Sequence, residues 1–193
     1  GVLRIVRNHL ALLDYGQRDP LTGLLNRKTF EASFGKLLAQ SAHADGGCWL
    51  AVVDIDHFKS VNDQHGHLFG DEVLLLVSRL MRETFRGADH LFRFGGEEFV
   101  VVLDATPEGA QVAFERLREA IANYRFPQIG KVTISLGYTQ VRPADSPAAA
   151  IERADAALYY AKRNGRNQSR HHEQLIADGE LAAKAMNEEV ELF

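Results

Sequence analysis

Apolar positions along the chain recur with two periods. Leu3, Val6, Leu10 and Leu13 alternate three- and four-residue steps. That is a helical seam, which serves equally as half of a coiled coil or as a face packed on its own domain. Phe30, Phe34, Leu37 and Leu38 line one face of a helix from Arg27 to Gln40, with Asn26 placed to cap it. Leu74, Val77 and Met81 mark a long helix ending near Phe85; Ala110, Phe114, Leu117 and Ile121 mark another, and Ile151, Ala154, Leu158 and Ala161 another. Thr106-Pro107-Glu108 and Ser146-Pro147 are strong helix starts, a hydroxyl cap followed by a proline whose missing N–H costs nothing at the first position. Asn164-Gly165 is a helix stop.

Other stretches read as strands. "CWLAVVDI" (48–55) is almost continuously apolar, the signature of a central strand buried on both faces. Two short strands flank Gly95-Gly96, and "KVTISLGYT" (131–139) turns Val132, Ile134 and Leu136 inward. "RDPLTGLLNR" (18–27) is a turn-rich connector, and the polar "DHFKSVNDQHGHLFGDE" reads as a short helix and a turn. The order helix, strand, helix, strand, strand, helix, strand, helix predicts an α/β sandwich with a hairpin in a mixed sheet.

Composition narrows the chemistry. A chain of 193 residues holds one domain with attachments. Its net charge of −4 argues against broad binding to nucleic-acid polymers or anionic membranes. Phosphate chemistry would therefore need a local basic cluster or a metal. The single cysteine, Cys48, excludes an intrachain disulfide and fits a reducing, cytoplasmic compartment. No apolar run approaches the roughly 20 residues of a membrane span, and no signal peptide is visible. The start at Gly1 rather than Met reads as a piece of a longer protein with an upstream domain.

The hairpin "FRFGGEEFVVVLD" (92–104) carries more acid than a turn needs. Gly-Gly fits a two-residue primed turn with positive φ at both central residues. Glu97 and Glu98, adjacent on a strand, would project to opposite faces. Asp54 and Asp56 end the apolar strand, a frequent ligand position in α/β sheets. If that strand lies beside the hairpin, Asp54 and Glu97 converge, and a hard divalent cation would relieve their repulsion; Mg²⁺ favours one or two carboxylates with phosphate oxygens. The spacing alone fits solvated edge acids equally well.

"RFGGEEF", with "DPLTGLLNR", "DIDHFKSVNDQHGHLFGDEVL" and "ALYYAKRNGRN", resembles the GGDEF domain of bacterial diguanylate cyclases, in the Glu variant of its signature. These separate blocks follow the family's order across roughly residues 18 to 168. The resemblance implies a nucleotidyl-cyclase, palm-like fold with about five mainly antiparallel strands between helices. It implies condensation of two GTP into cyclic di-GMP with release of two pyrophosphates, by two domains meeting face to face as a homodimer. Mg²⁺ is the implied cofactor, with Mn²⁺ as a substitute. Its implied ligands are Asp54, Glu97 and the Ile55 carbonyl; Glu98 is implied either at a second metal or as acceptor of the 3′-hydroxyl proton. Lys162 and Arg166, four apart at a helix end and so on one face, are implied at the phosphates with Phe58 and Lys59, Asn62 and Asp71 at guanine, and Gly95 and Gly96 under the nucleotide. A carboxylate at 71 suits the N1–H and N2–H₂ donors of guanine, which adenine lacks.

Five residues separate "RGAD" (86–89) from Gly95. The resemblance implies an inhibitory product site at Arg86 and Asp89, about 16 Å away along the strand, with Arg116 or Arg118 as a candidate second arginine.

Each residue has a plainer reading. Asp71 would cap the long helix, Lys162 and Arg166 would be solvated charges at a helix end, Asn62 would be a turn residue, and Arg86–Asp89 would be a local turn contact. His57, His65 and His67 look like a metal set, but their loop is short and the resembled family does not use them as ligands; His171-His172 is a similarly weak metal pattern. The whole chain reads as three parts: a signalling helix at 1–17, the cyclase domain at 18–168, and a helical tail at 169–193. Two rival roles stay open, a silent cyclic di-GMP receptor and a dimerisation module.

Overall fold

The computed structural model describes residues 16–41, 46–87 and 90–182. The seam at residues 2–14 and Asp89 lie outside the described residues. In chain order the elements are β1 (Leu25–Asn26), α1 (Arg27–Gln40), β2 (Gly47–Ile55), α2 (Phe58–His65), α3 (His67–Thr84), β3 (His90–Gly95), β4 (Glu98–Ala105), α4 (Pro107–Asn123), β5 (Arg125–Phe126), β6 (Gly130–Lys131), β7 (Ile134–Gln140), α5 (Pro147–Arg163), β8 (Ser169–His171) and α6 (His172–Ala177). The main sheet runs β1-β3-β4-β2-β7-β8. Its inner pairs are antiparallel, and the two edge pairs, β1 with β3 and β7 with β8, are parallel.

β2 is the axis of the fold. Its alternation divides the core. Leu50 and Val52 face Phe30, Phe34 and Leu37 of α1 and Ala150, Ala154 and Leu158 of α5. Trp49, Ala51, Val53 and Ile55 face Val73, Val77 and Met81 of α3 and Phe114, Leu117 and Ile121 of α4. Asn26, Thr106 and Ser146 each cap their helix by accepting a backbone N–H three residues on.

The predicted sandwich is present, with corrections at its margins. Six strands form the main sheet rather than about five, because β1 and β8 are too short to show a period. The 131–139 strand starts at Ile134; Gly130–Lys131 pairs instead with Arg125–Phe126 as a small hairpin. The polar stretch after Asp56 is nearly all helix, interrupted only at Gly66, whose φ of +90° breaks α2 from α3. The tail opens as an edge strand before turning helical.

α5 lies unusually close to the sheet. A Cβ at Gly137 of β7 would meet the Ala154 carbonyl oxygen at 2.1 Å and the Leu158 nitrogen at 2.2 Å. Bare backbone on the strand and alanines on the helix allow this approach, which sets the height of everything at the end of α5. Among the described residues no helix is long and apolar enough to cross a membrane.

Candidate active site at the end of the central strands

Asp54 is the penultimate residue of β2, paired with Glu98 of β4 and Ser135 of β7. Residues directly opposite in antiparallel strands share a face, so Asp54 and Glu98 both project towards α5. Asp54 is buried, 8% exposed, and its Oδ1 lies 2.9 Å from Nζ of Lys162. Burial pushes its carboxyl pKa up; Lys162 pulls it back, and the charges of Glu97 and Asp56 push it up again, leaving it raised. Glu98 is raised by burial and then by Asp155 and Asp54, against the pull of Arg27 and Lys162. Acidic charge is thus concentrated beyond what one ammonium neutralises.

Glu97 corrects the sequence reading. The ladder shifts between Arg93 and Gly95, and Gly95 pairs with Glu98. The turn therefore centres on Gly96 and Glu97, and Glu97 is not on a strand. The bulge displaces the turn by one residue, which no local pattern announces. Gly95 and Gly96 have φ of +133° and +51°, while Glu97 is not among the positive-φ residues. The Glu97 carbonyl accepts from the Ile55 N–H at 3.3 Å, which ties the turn to the end of β2. The end of β2 and the Glu97 backbone are therefore joined through a turn rather than across a flat ladder.

Among the described residues no three His, Cys, Asp or Glu side chains gather closely enough to hold a metal alone. This removes the histidine set at 57, 65 and 67, and Asp54, Glu97 and Glu98 do not close into a three-carboxylate cage either. His171 and His172 instead flank Glu173, with His171 Nε2 3.0 Å from its Oε2. Two carboxylates and a backbone carbonyl fit a hard cation that takes its remaining oxygens from a bound ligand and water.

Next to β2 the chain turns sharply. His57 adopts φ +55°, and its side chain does not cap α2. The first-turn amides of α2, near Phe58 and Lys59, therefore carry the positive end of the helix dipole. Phe58 is buried as an anchor and Lys59 is exposed. Asn62 lies directly over Gly70, where a Cβ would come within 1.9 Å of its Oδ1; it is a packed side chain, and Gly70 is the signal that was missed. Asp71 follows Gly70 and is exposed. Since α3 begins at His67 behind Gly66, Asp71 is not its cap.

Asp56 has a role the sequence did not suggest. It is 5% exposed and accepts from Thr133 Oγ1 (2.8 Å), Ser135 Oγ (2.7 Å) and the Asn167 N–H (3.0 Å). It fastens the loop before α2 to the loop after α5. Arg166 sits in that second loop, outside the helix, so it does not share a helical face with Lys162. Gly165 at φ +109° and Arg166 at +61° turn the chain, and the Arg166 N–H closes on the Ala161 carbonyl at 2.9 Å, a Schellman closure.

A family model described as "Diguanylate cyclase, GGDEF domain" matches residues 16–168. The chain belongs to the GGDEF family. This GGDEF chain is 46% identical over 168 residues to diguanylate cyclase DgcP of Pseudomonas aeruginosa, covering 83% of the chain and 25% of DgcP. It is 38% identical over 156 residues to the probable diguanylate cyclase DgcC of Escherichia coli K12, covering 79% of the chain and 42% of DgcC. It thus spans less than half of either relative. The coiled coil and GGDEF domain of DgcB from Caulobacter crescentus, solved with c-di-GMP, has a TM-score of 0.79 at 30% identity, covering 88% of this chain and 93% of that one. The active GGEEF domain of a Vibrio cholerae diguanylate cyclase has a TM-score of 0.71 at 34% identity, covering 77% and 97%.

Elsewhere on the GGDEF domain, Arg86 lines a cavity of about 430 Å³ with Leu80, Glu83, Thr84, Phe85, Arg116 and Ala120. Arg116 also donates to the Thr84 carbonyl at 2.8 Å. Arg118 is committed elsewhere, to Glu115 and to Asn167 Oδ1. Of the two candidate arginines, Arg116 lines this cavity with Arg86.

Proposed function

We propose that this chain is the catalytic domain of a diguanylate cyclase that condenses two GTP into cyclic di-GMP and two pyrophosphates as a homodimer. The observation that carries the reading is the shared face of Asp54 and Glu98, with Lys162 on Asp54 and the Glu97 turn bound to Ile55. Mg²⁺, or Mn²⁺ in its place, suits Asp54, Glu97 and the Ile55 carbonyl, and when bound supplies charge neutralisation at the triphosphate.

The chain's own residues do the remaining work. The amides at Phe58 and Lys59, with the Lys59 ammonium, grip the terminal phosphates. Lys162 and Arg166 approach from the other wall, and Asp56 keeps the two walls at a fixed distance. Asn62 and Asp71 meet the guanine edge, and the open space over Gly95 and Gly96 leaves room for the nucleotide. Glu98 stands where it can take the 3′-hydroxyl proton or a second cation. The hydroxyl attacks the α-phosphorus of the GTP held by the facing domain, so neither domain completes the reaction alone.

Arg86, Asp89 and Arg116 are read as the product site, which inhibits by holding domains in a nonproductive arrangement. An upstream sensory domain and a cytoplasmic location belong to the same reading.

Incubation with GTP and Mg²⁺ tests it, with pyrophosphate and a cyclic dinucleotide as the expected products. Glu97→Ala should abolish synthesis without loss of fold. Tight product binding without synthesis would replace the enzyme with a receptor, and neither activity would leave a dimerisation scaffold.

A further inference from the structure

The turn that carries Glu97 has little to hold it in place. Among the described residues, no atom beyond the adjoining ones lies within 4 Å of where a Cβ would sit on Gly95 or Gly96, so nothing packs against the two glycines. Beyond the Gly95–Glu98 ladder pair, two hydrogen-bonded contacts restrain it among the described residues. One is the Ile55 N–H on the Glu97 carbonyl. The other comes from Arg93, whose Nε and Nη2 donate to the Gly96 carbonyl at 3.3 and 2.9 Å. Holding that carbonyl fixes the peptide plane between Gly96 and Glu97, and with it the direction in which Glu97 leaves the turn.

Arg93 is itself held. Its Nη1 donates to both carboxylate oxygens of Asp19 at 3.0 Å. The two side chains are only 12% and 15% exposed, so solvent screens their attraction weakly. Asp19 belongs to the connector that enters the domain. Its Oδ2 also accepts the Thr22 N–H and Oγ1–H, both at 2.7 Å, and its backbone closes on Leu24 and Gly23 at 2.8 and 2.9 Å. Arg93 pairs with Phe99, which faces α3 and α4; it therefore works from the opposite side of the sheet to Lys162.

We infer that Arg93, anchored by Asp19, is a positioning residue for Glu97, and that the connector reaches the active site through this guanidinium. The effect on rate rests on the cyclase reading; the effect on the turn does not. A plain structural salt bridge would lower stability without altering the turn.

Asp19→Asn and Arg93→Lys in the full chain separate the two. An amide offers poor acceptance where three donors converge, and lysine cannot span both partners. In nucleotide-free protein, amide exchange at residues 95–98 should quicken about tenfold in Asp19→Asn and more in Arg93→Lys, with Val100 and Val101 unchanged. The Mg²⁺ concentration for half-maximal turnover should rise several-fold, with the KM for GTP at saturating Mg²⁺ near the parent value. Unchanged exchange and unchanged Mg²⁺ dependence, with only a lower melting temperature, would overturn the inference. If Arg93→Lys does not fold, the shape-preserving Asp19→Asn decides. A parent protein that makes no cyclic dinucleotide removes the cyclase reading, and the exchange result still decides whether Arg93 positions the turn.

Discussion

Placing one methyl group on Gly137 should disable a site it does not touch. The Cβ of Gly137→Ala would lie 2.1 Å from the Ala154 oxygen, 2.2 Å from the Leu158 nitrogen and 2.7 Å from the Ala157 carbonyl carbon. All three are backbone atoms of a helix, so no rotamer change relieves them. Ordinary contact needs about 3.5 Å, which requires α5 to retreat by roughly 1.4 Å. Overpacking of this kind costs about 1–3 kcal/mol, and backbone contacts place it at the upper end. At about 2–4 °C per kcal/mol for a chain of this size, Tm should fall by roughly 6–12 °C. The same retreat draws Lys162 away from Asp54, now 2.9 Å apart, and a displacement of about 1 Å can cost about a hundredfold in rate. Differential scanning calorimetry gives the first number, and pyrophosphate release from GTP, well below the variant's Tm, gives the second. A variant that melts within about 2 °C of the parent and keeps its turnover would refute the claim that helix height sets the site.

Arg86→Ala and Arg116→Ala should each raise the product concentration for half-inhibition about tenfold while sparing the initial rate, whereas Arg118→Ala, which removes contacts to Glu115 and Asn167, should leave inhibition unchanged; dose–response curves with added cyclic di-GMP check both. Asp71→Asn should reduce the preference for GTP over ATP by about 10- to 100-fold, measured as the ratio of kcat/KM values, and an equally strict variant would count against a guanine role. Glu173 resists the upward push of burial because His171, Thr139 and a backbone N–H hold its charged form, so its pKa falls from 4.5 to about 2. A lowered carboxyl pKa adds stability above pH 4.5 that disappears as pH falls towards 2. The gap in melting temperature between the parent and Glu173→Gln should close over that window; parallel curves would refute the pairing.

The helices were legible because their signals are local. A stripe such as Ala110, Phe114, Leu117 and Ile121 repeats with the helix itself, and a cap such as Thr106 acts three residues away. The continuous apolar run of β2 marked it as central for the same reason, since a strand covered on both faces has no polar side. The acids at 54, 97 and 98, the basic residues at 162 and 166, and the guanine candidates at 62 and 71 were likewise visible as residue types in ordered blocks.

Tertiary structure decided what those residues do together. The bulge before Gly95 moved Glu97 into the turn, and the Schellman closure took Arg166 off its helix. Asp56 found donors at Thr133, Ser135 and Asn167, and Arg93 found Asp19, through pairings no local repeat specifies. Gly70 and Gly137 became essential only because Asn62 and α5 came to rest against them. Periodicity reports the geometry of a few neighbouring residues; register and close approach depend on how distant segments pack, and that is where the charges of this site acquire their partners.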